Sequence, residues 1–218
     1  MSGAARGRRR SPGTRRRVAA PPGLPRVAAA LAVLAVATLA VAACGESAGE
    51  GAAAAQPVTY RNAEYGFSLT YDPRFTQTAA TVTDADVAFS VAFADLDGVA
   101  ADGRAVDVIE VAVFELPDAV KPADVPRLKP DVDAVAKEML APLDGATVTE
   151  PLSATKVGGV PGFTLSYTFS EGGTELTAAT WFLFKGDRQY QLVTQASSAD
   201  WTGLEAPFAA AVESFTID

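Results

Sequence analysis

Two hydrophobic patterns divide the chain. From Leu31 the sequence LAVLAVATLAVAAC is apolar almost without a break. From Pro57 onward apolar residues recur at the spacing of strands and of helices. Tyr65, Phe67, Leu69 and Tyr71 alternate with Gly66, Ser68 and Thr70, which predicts a strand, and Asp72-Pro73 stops it because proline has no ladder donor. A second strand is expected over 87–94, with Val87, Phe89, Val91 and Phe93 on one face and Ala88, Ser90, Ala92 and Ala94 on the other. An Asp/Gly-rich loop at 95–104 leads into a third, from Val106 to Leu116. There Ile109, Val111 and Val113 oppose Val106, Val108, Ala112 and Phe114, so this strand is expected to be covered on both sides.

A helix follows. Pro130 suits a first helical position, and Asp131 and Asp133 suit the positive N-terminal end. Val132, Val135, Ala136, Met139, Leu140 and Leu143 form one apolar stripe, and Pro142 and Gly145 end the helix. Turn signals at Gly158-Gly159, Gly172-Gly173 and Gly186-Asp187 then predict a meander of four strands. Phe163, Leu165, Tyr167 and Phe169 share one face of the strand after Pro161. Leu176, Ala178, Phe182 and Phe184 oppose Trp181 and Leu183 in the next, and Tyr190, Leu192 and Thr194 alternate with glutamines in the last. A final helix carries Leu204, Phe208 and Val212, with Pro207 leaving its start open.

The early apolar run has a different meaning. Residues 1–26 hold eight arginines and no acid, and the run ends in small residues before Cys44, the sole cysteine. A basic segment, an apolar segment and a small-residue cleavage site make a secretory signal. The order Val41-Ala42-Ala43-Cys44-Gly45 resembles the lipobox of bacterial lipoproteins. The resemblance implies that Cys44 receives a diacylglyceryl thioether and becomes the first residue of the mature protein. Residues 1–43 are then a signal peptide, and the protein is expected on the outer face of the plasma membrane, held by lipid on Cys44. Two alternatives stay open. Thr14-Arg15-Arg16 resembles a twin-arginine export signal, and the seventeen residues Val27–Ala43 are just long enough for an uncleaved transmembrane helix. Residues 45–56, GESAGEGAAAAQ, lack periodicity and read as a flexible tether reaching roughly 20 Å. The folded domain is expected over 57–218.

Removing the signal changes the charge. All 26 acidic residues follow Cys44, and of the 18 basic residues only those beyond the eight early arginines remain, which leaves the mature chain near −16. Such a surface repels nucleic acid, so no nucleic-acid partner is expected. With Cys44 acylated, no thiol is left for a disulfide or a nucleophile. The chain has no histidine. That removes histidine-based triads outright and makes a tetrahedral zinc site unexpected.

The order of elements resembles the PsbP-like superfamily, including lipoproteins of that type from actinobacteria, whose high-GC proteomes the Ala/Val/Gly/Asp/Arg-rich composition also resembles. The carriers are YRNAEYGFSLTYDPRF at 60–75, Val157-Gly158-Gly159-Val160-Pro161-Gly162-Phe163, Tyr190 after the Gly-Asp turn, and Glu213-Ser214-Phe215 at the end of the last helix. The likeness covers roughly 57–217 and departs from the family at Asp72, which separates Tyr71 from Pro73. It implies an α+β fold, an antiparallel sheet with helices on both faces. It implies no enzyme activity, no catalytic residue and no cofactor.

Three kinds of local feature bear on chemistry. Asp95-Leu96-Asp97-Gly98, with Asp102 nearby, resembles part of a calcium loop but lacks the terminal glutamate, and Asp84/Asp86 is a similar fragment. These are expected to be acidic surface loops, with no metal. Asp107 and Glu110 are the carboxylates that a glycoside-hydrolase mechanism would need. Being three apart on a strand, they point to opposite faces. Glu110 then calls for a buried partner such as Arg104 or Lys185. Trp181 is expected in the core and Trp201 at a packed helix start. The function expected is a non-catalytic binding or accessory module whose partner is an unknown extracytoplasmic protein or small ligand. A carrier of an apolar ligand or lipid is the first alternative and a cell-wall polymer hydrolase the second.

Overall fold

Residues 56–78, 80, 87–100 and 103–218 are described by a computed structural model. Val41, Ala42, Ala43 and Cys44, most of the tether, and Asp84, Asp86 and Asp102 lie outside the described residues.

The opening alternation builds a small sheet. β1 (Val58–Asn62) and β2 (Phe67–Tyr71) pair antiparallel, placing Phe67 and Leu69 fully inside. Asn62 Oδ1 closes their turn by accepting the Tyr65 N–H at 3.0 Å. The departure at Asp72 builds a turn of its own. Its backbone carbonyl accepts the Phe75 N–H at 3.0 Å, and its Oδ1 accepts the Arg74 N–H at 3.0 Å.

A larger antiparallel sheet follows, begun by β3 (Phe75–Thr78), β4 (Val87–Asp95) and β5 (Val108–Val120). A 3-10 turn at Val125–Leu128 leads into α1 (Lys129–Leu140), which buries Val132, Ala136 and Met139. β6 (Asp144–Val157), β7 (Val160–Glu171) and β8 (Thr174–Ser197) complete the sheet in the order β3-β4-β5-β8-β7-β6. α2 (Trp201–Ser214) runs through Pro207, and β9 (Thr216–Ile217) adds to β2. The molecule is thus mostly antiparallel sheet with two helices.

β8 is folded back on itself at the predicted Gly186-Asp187 turn. The Ser198 N–H donates to the Glu175 carbonyl at 2.8 Å, and the Thr177 and Ser198 hydroxyls bond at 2.8 Å. A straight strand of 24 residues would hold these ends roughly 80 Å apart. Gly186, at φ +63°, supplies the first central residue of a two-residue hairpin turn. The first arm, 174–183, pairs with β7, and the second, 188–195, with β5.

Two apolar clusters form. Ile109, Val111 and Val113 pack with Tyr190, Leu192, β2 and the α2 residues Leu204, Phe208 and Val212. Phe163, Leu165, Tyr167, Phe169 and Phe182 pack with Val132, Ala136 and Met139 of α1. Trp181 and Trp201 sit half-buried against the first cluster, and Trp201 meets Phe208 with ring centroids 5.6 Å apart. One expected face assignment is corrected. Val87 packs with Ala112 and Phe114 instead of sharing a face with Phe89, Val91 and Phe93. Val87 pairs with Phe114 and Phe89 with Val113, so Ala88 is an extra residue, and this bulge flips the side chains before it.

Candidate functional site

The Asp/Gly-rich loop folds through its own polar atoms. The Asp97 N–H donates to Asp95 Oδ1 at 3.0 Å, and the Gly98 N–H to the Asp95 carbonyl at 3.2 Å. Gly98 is required there, since a Cβ would stand 2.0 Å from Asp107 Oδ2. Asp107 is nearly fully buried, and its Oδ1 accepts the Ser197 N–H at 3.0 Å. Ser197 Oγ donates to Asp200 Oδ2 at 2.6 Å, fixing that carboxylate at the entry to α2.

These pieces meet in an open cleft of about 280 Å³ where the β4–β5 loop approaches the start of α2. Asp95, Asp97, Asp107 and Asp200 line it, with Arg74 as the cation on its wall. Arg74 Nε lies 3.1 Å from Asp72 Oδ1, and Asp72 is held below the usual carboxylate range chiefly by the Arg74 backbone N–H. Asp107 is pushed the other way. Burial raises it, the Ser197 N–H opposes the rise, and the Asp200 and Asp95 charges add to it. Leu96 and Val99 stand more than half exposed on the same loop. The cleft therefore attracts basic groups and offers apolar contact beside them. No group of three or more metal-type ligands among the described residues is placed to hold a metal ion.

Asp107 and Glu110 face apart, as their spacing on the strand predicts. Asp107 turns into this cleft, whereas Glu110 opens on the other face of the sheet, opposite Ala92 and Val193. Neither partner expected for Glu110 reaches it. Arg104 Nη1 pairs with Glu171 Oε1 at 2.9 Å, and Lys185 Nζ donates to the backbone oxygens of Ile217 and Asp218 at 2.7 and 2.6 Å. Arg104 stands in the loop before β5 and Lys185 at the hairpin end of β8, so both cations have acceptors closer to hand. Arg74 and Asp200 were not singled out from the sequence. The available signal was Ser197-x-x-Asp200 directly ahead of the last helical pattern, a spacing that lets two short polar side chains bond each other.

No helix among the described residues is long and apolar enough to cross a membrane. Neither the protein-family models nor the curated proteins match this sequence. Solved structures do. CyanoP, the cyanobacterial PsbP of Synechocystis sp. PCC 6803, superposes with a TM-score of 0.54 at 15% identity over 79% of this chain and 98% of its own. LpqN of Mycobacterium tuberculosis, described as involved in cell envelope biogenesis, gives 0.51 at 16% identity over 74% and 90%. A Bacteroides thetaiotaomicron structure gives 0.50 at 13% identity over 73% of this chain, which spans only 48% of that protein. What these likenesses establish is the architecture alone: this chain shares the fold of CyanoP and LpqN.

Proposed function

We propose that this protein is an accessory module of the cell envelope, anchored through lipid on Cys44 and acting by binding an extracytoplasmic partner, without catalysis. The observation that carries the reading is the order of its parts: Val41-Ala42-Ala43-Cys44-Gly45, a short periodicity-free tether, then a PsbP-like domain. A lipid on Cys44 holds the domain at the membrane, since each buried methylene contributes ~0.8 kcal/mol and two or more chains hold firmly. The likeness to LpqN, involved in cell envelope biogenesis in its own organism, supports the same setting. The α1 and α2 residues enter separate apolar clusters, which supports an α/β/α sandwich with the helices on opposite faces.

The acidic cleft beside Leu96 and Val99 is the contact surface this reading favours, for a basic extracytoplasmic protein segment. Crosslinking in intact cells tests it. A crosslinker placed at Val99 is expected to capture a discrete protein, and capture is expected to fall when Asp95 and Asp97 are changed to Asn. Capture that ignores those charges, or no discrete product, contradicts the reading.

A further inference from the structure

Glu110 occupies a place the partner-binding reading does not use. The register puts Glu110 opposite Val193, Ala112 opposite Gln191 and Phe114 opposite Gln189, so these side chains share one face of the sheet. Ala92 stands opposite Glu110 on the other side and Ser90 opposite Ala112, which leaves the floor low around them. Glu110, Gln191, Val193 and Ser90 are all partly exposed, so this face is a half-open trough. Met139 of α1 forms its wall, at 3.6 Å from Gln191 Nε2.

The polar groups of this trough lack adequate partners. The Glu110 carboxylate has no hydrogen bond or ion pair among the described residues. Gln189 is 94% buried, and its Nε2 has no acceptor among the described residues. Gln191 Nε2 meets only the Met139 sulfur, a weak acceptor. The cations of neighbouring elements are engaged elsewhere: Arg104 with Glu171, Lys137 with Asp133, Lys185 with the C-terminal backbone, and Arg188 over the Tyr65 ring. Gln189 Nε2 is thus buried and unmet, and beside it the partly exposed Glu110 carboxylate and Gln191 amide lack a strong protein partner among the described residues.

We propose that this trough binds a small amino alcohol, its ammonium group paired with Glu110 and its oxygen accepting from the Gln191 or Gln189 amide. Glu110 and Gln191 are diagonal cross-strand neighbours, roughly 7 Å apart at the backbone, within reach of the two ends of such a molecule. An uncharged diol satisfies the amides but leaves the carboxylate without a cation. Burial raises the Glu110 carboxyl, so a bound ammonium also restores its ionised form.

The test titrates the full-length protein in detergent with ethanolamine, and with ethylene glycol as the uncharged counterpart, while following the side-chain amide resonances of Gln189 and Gln191 by NMR. Saturable movement of both with ethanolamine and none with ethylene glycol is the expected result. Glu110→Gln is expected to weaken ethanolamine at least ~10-fold, the worth of a charge-assisted bond. Gln191→Leu, which leaves the carboxylate in place, is expected to weaken it less, and serves if Glu110→Gln fails to fold. No saturable movement, an equal response to ethylene glycol, or binding untouched by either variant overturns the proposal. Bridging by water alone gives the first of these results.

Discussion

The hydroxyl of Ser214 stands between the two backbone groups of Thr70, accepting its N–H at 2.8 Å and lying 2.9 Å from its carbonyl. The two residues are 144 apart in sequence. This contact ties the end of α2 to the middle of β2, next to the buried rings of Phe67 and Phe215, whose centroids are 5.6 Å apart. It gives a physical role to Ser214-Phe215, one of the features on which the family resemblance rests. Ser214→Ala leaves the Thr70 N–H without its acceptor and is expected to cost about 1–3 kcal/mol. Urea unfolding measures the loss, and amide exchange should show the added opening first at Thr70. Unchanged protection at Thr70 would contradict the bridge.

Glycine substitutions discriminate backbone from side-chain crowding. At Gly162 a Cβ would lie 2.0 Å from the Phe182 carbonyl oxygen, which the sheet holds in place. At Gly98 it would meet the Asp107 carboxylate, which can swing away at the expense of its bond to Ser197, and Asp107 Cβ at 2.8 Å, which a small shift of the surface loop relieves. Gly162→Ala is therefore expected to exceed Gly98→Ala in cost, with the latter near the ~1–3 kcal/mol of overpacking. Gly203, within α2, has nothing within 4 Å of its would-be Cβ. Gly203→Ala is expected to stabilise by about 0.5–1 kcal/mol through helix propensity. Thermal melting of the three variants checks the order.

Glu110 makes stability depend on pH. Burial pushes its carboxyl up to about 7 from 4.5, so the folded state binds this proton more tightly than the unfolded chain. The contribution is present in full below pH 4.5 and is lost as pH rises through 7. Its size is on the order of 1–3 kcal/mol, because the half-open trough lets solvent screen part of the penalty. Glu110→Gln should remove this slope and raise stability at pH 8 relative to the parent. Parallel stability curves for the two proteins across pH 4–8 would contradict it.

Asp107 separates the roles of charge and hydrogen bond in the cleft. Asp107→Asn keeps an acceptor for the Ser197 N–H and removes repulsion from Asp95 and Asp200. It is expected to be neutral or mildly stabilising, with the gain larger at low salt. Asp107→Ala orphans the N–H and is expected to cost about 1–3 kcal/mol. Equal losses from both substitutions would point to charge as the structural element.

Much of this architecture was legible in residue alternation, and the failures are local. β2, β4 and β5 show themselves because one face of each is driven inward, as Phe67 and Leu69 or Ile109, Val111 and Val113 illustrate. β3 does not, since of FTQT only Phe75 is buried. β1 does not, since VTYRN lies at an edge and is largely exposed. The face of Val87 depended on a single bulged residue, Ala88, which periodicity cannot register. The cleft was half visible. Asp95, Asp97 and Asp107 stood out as acids, but Arg74 and Asp200 join them only through tertiary folding. Glu110 stands out in the sequence as a carboxylate on an apolar strand. Its expected cations were misassigned because sequence proximity does not say which acceptor a long side chain will reach.

If a lipid on Cys44 holds this domain at the membrane, as we propose, the intact mass of the protein extracted from its own membranes carries its signature. The expected chain begins at Cys44 with the added mass of a diacylglyceryl group, and the Cys44→Ala protein lacks that mass. A membrane-extracted chain that retains residues 1–43, or one that begins at Cys44 with no added lipid, would contradict it.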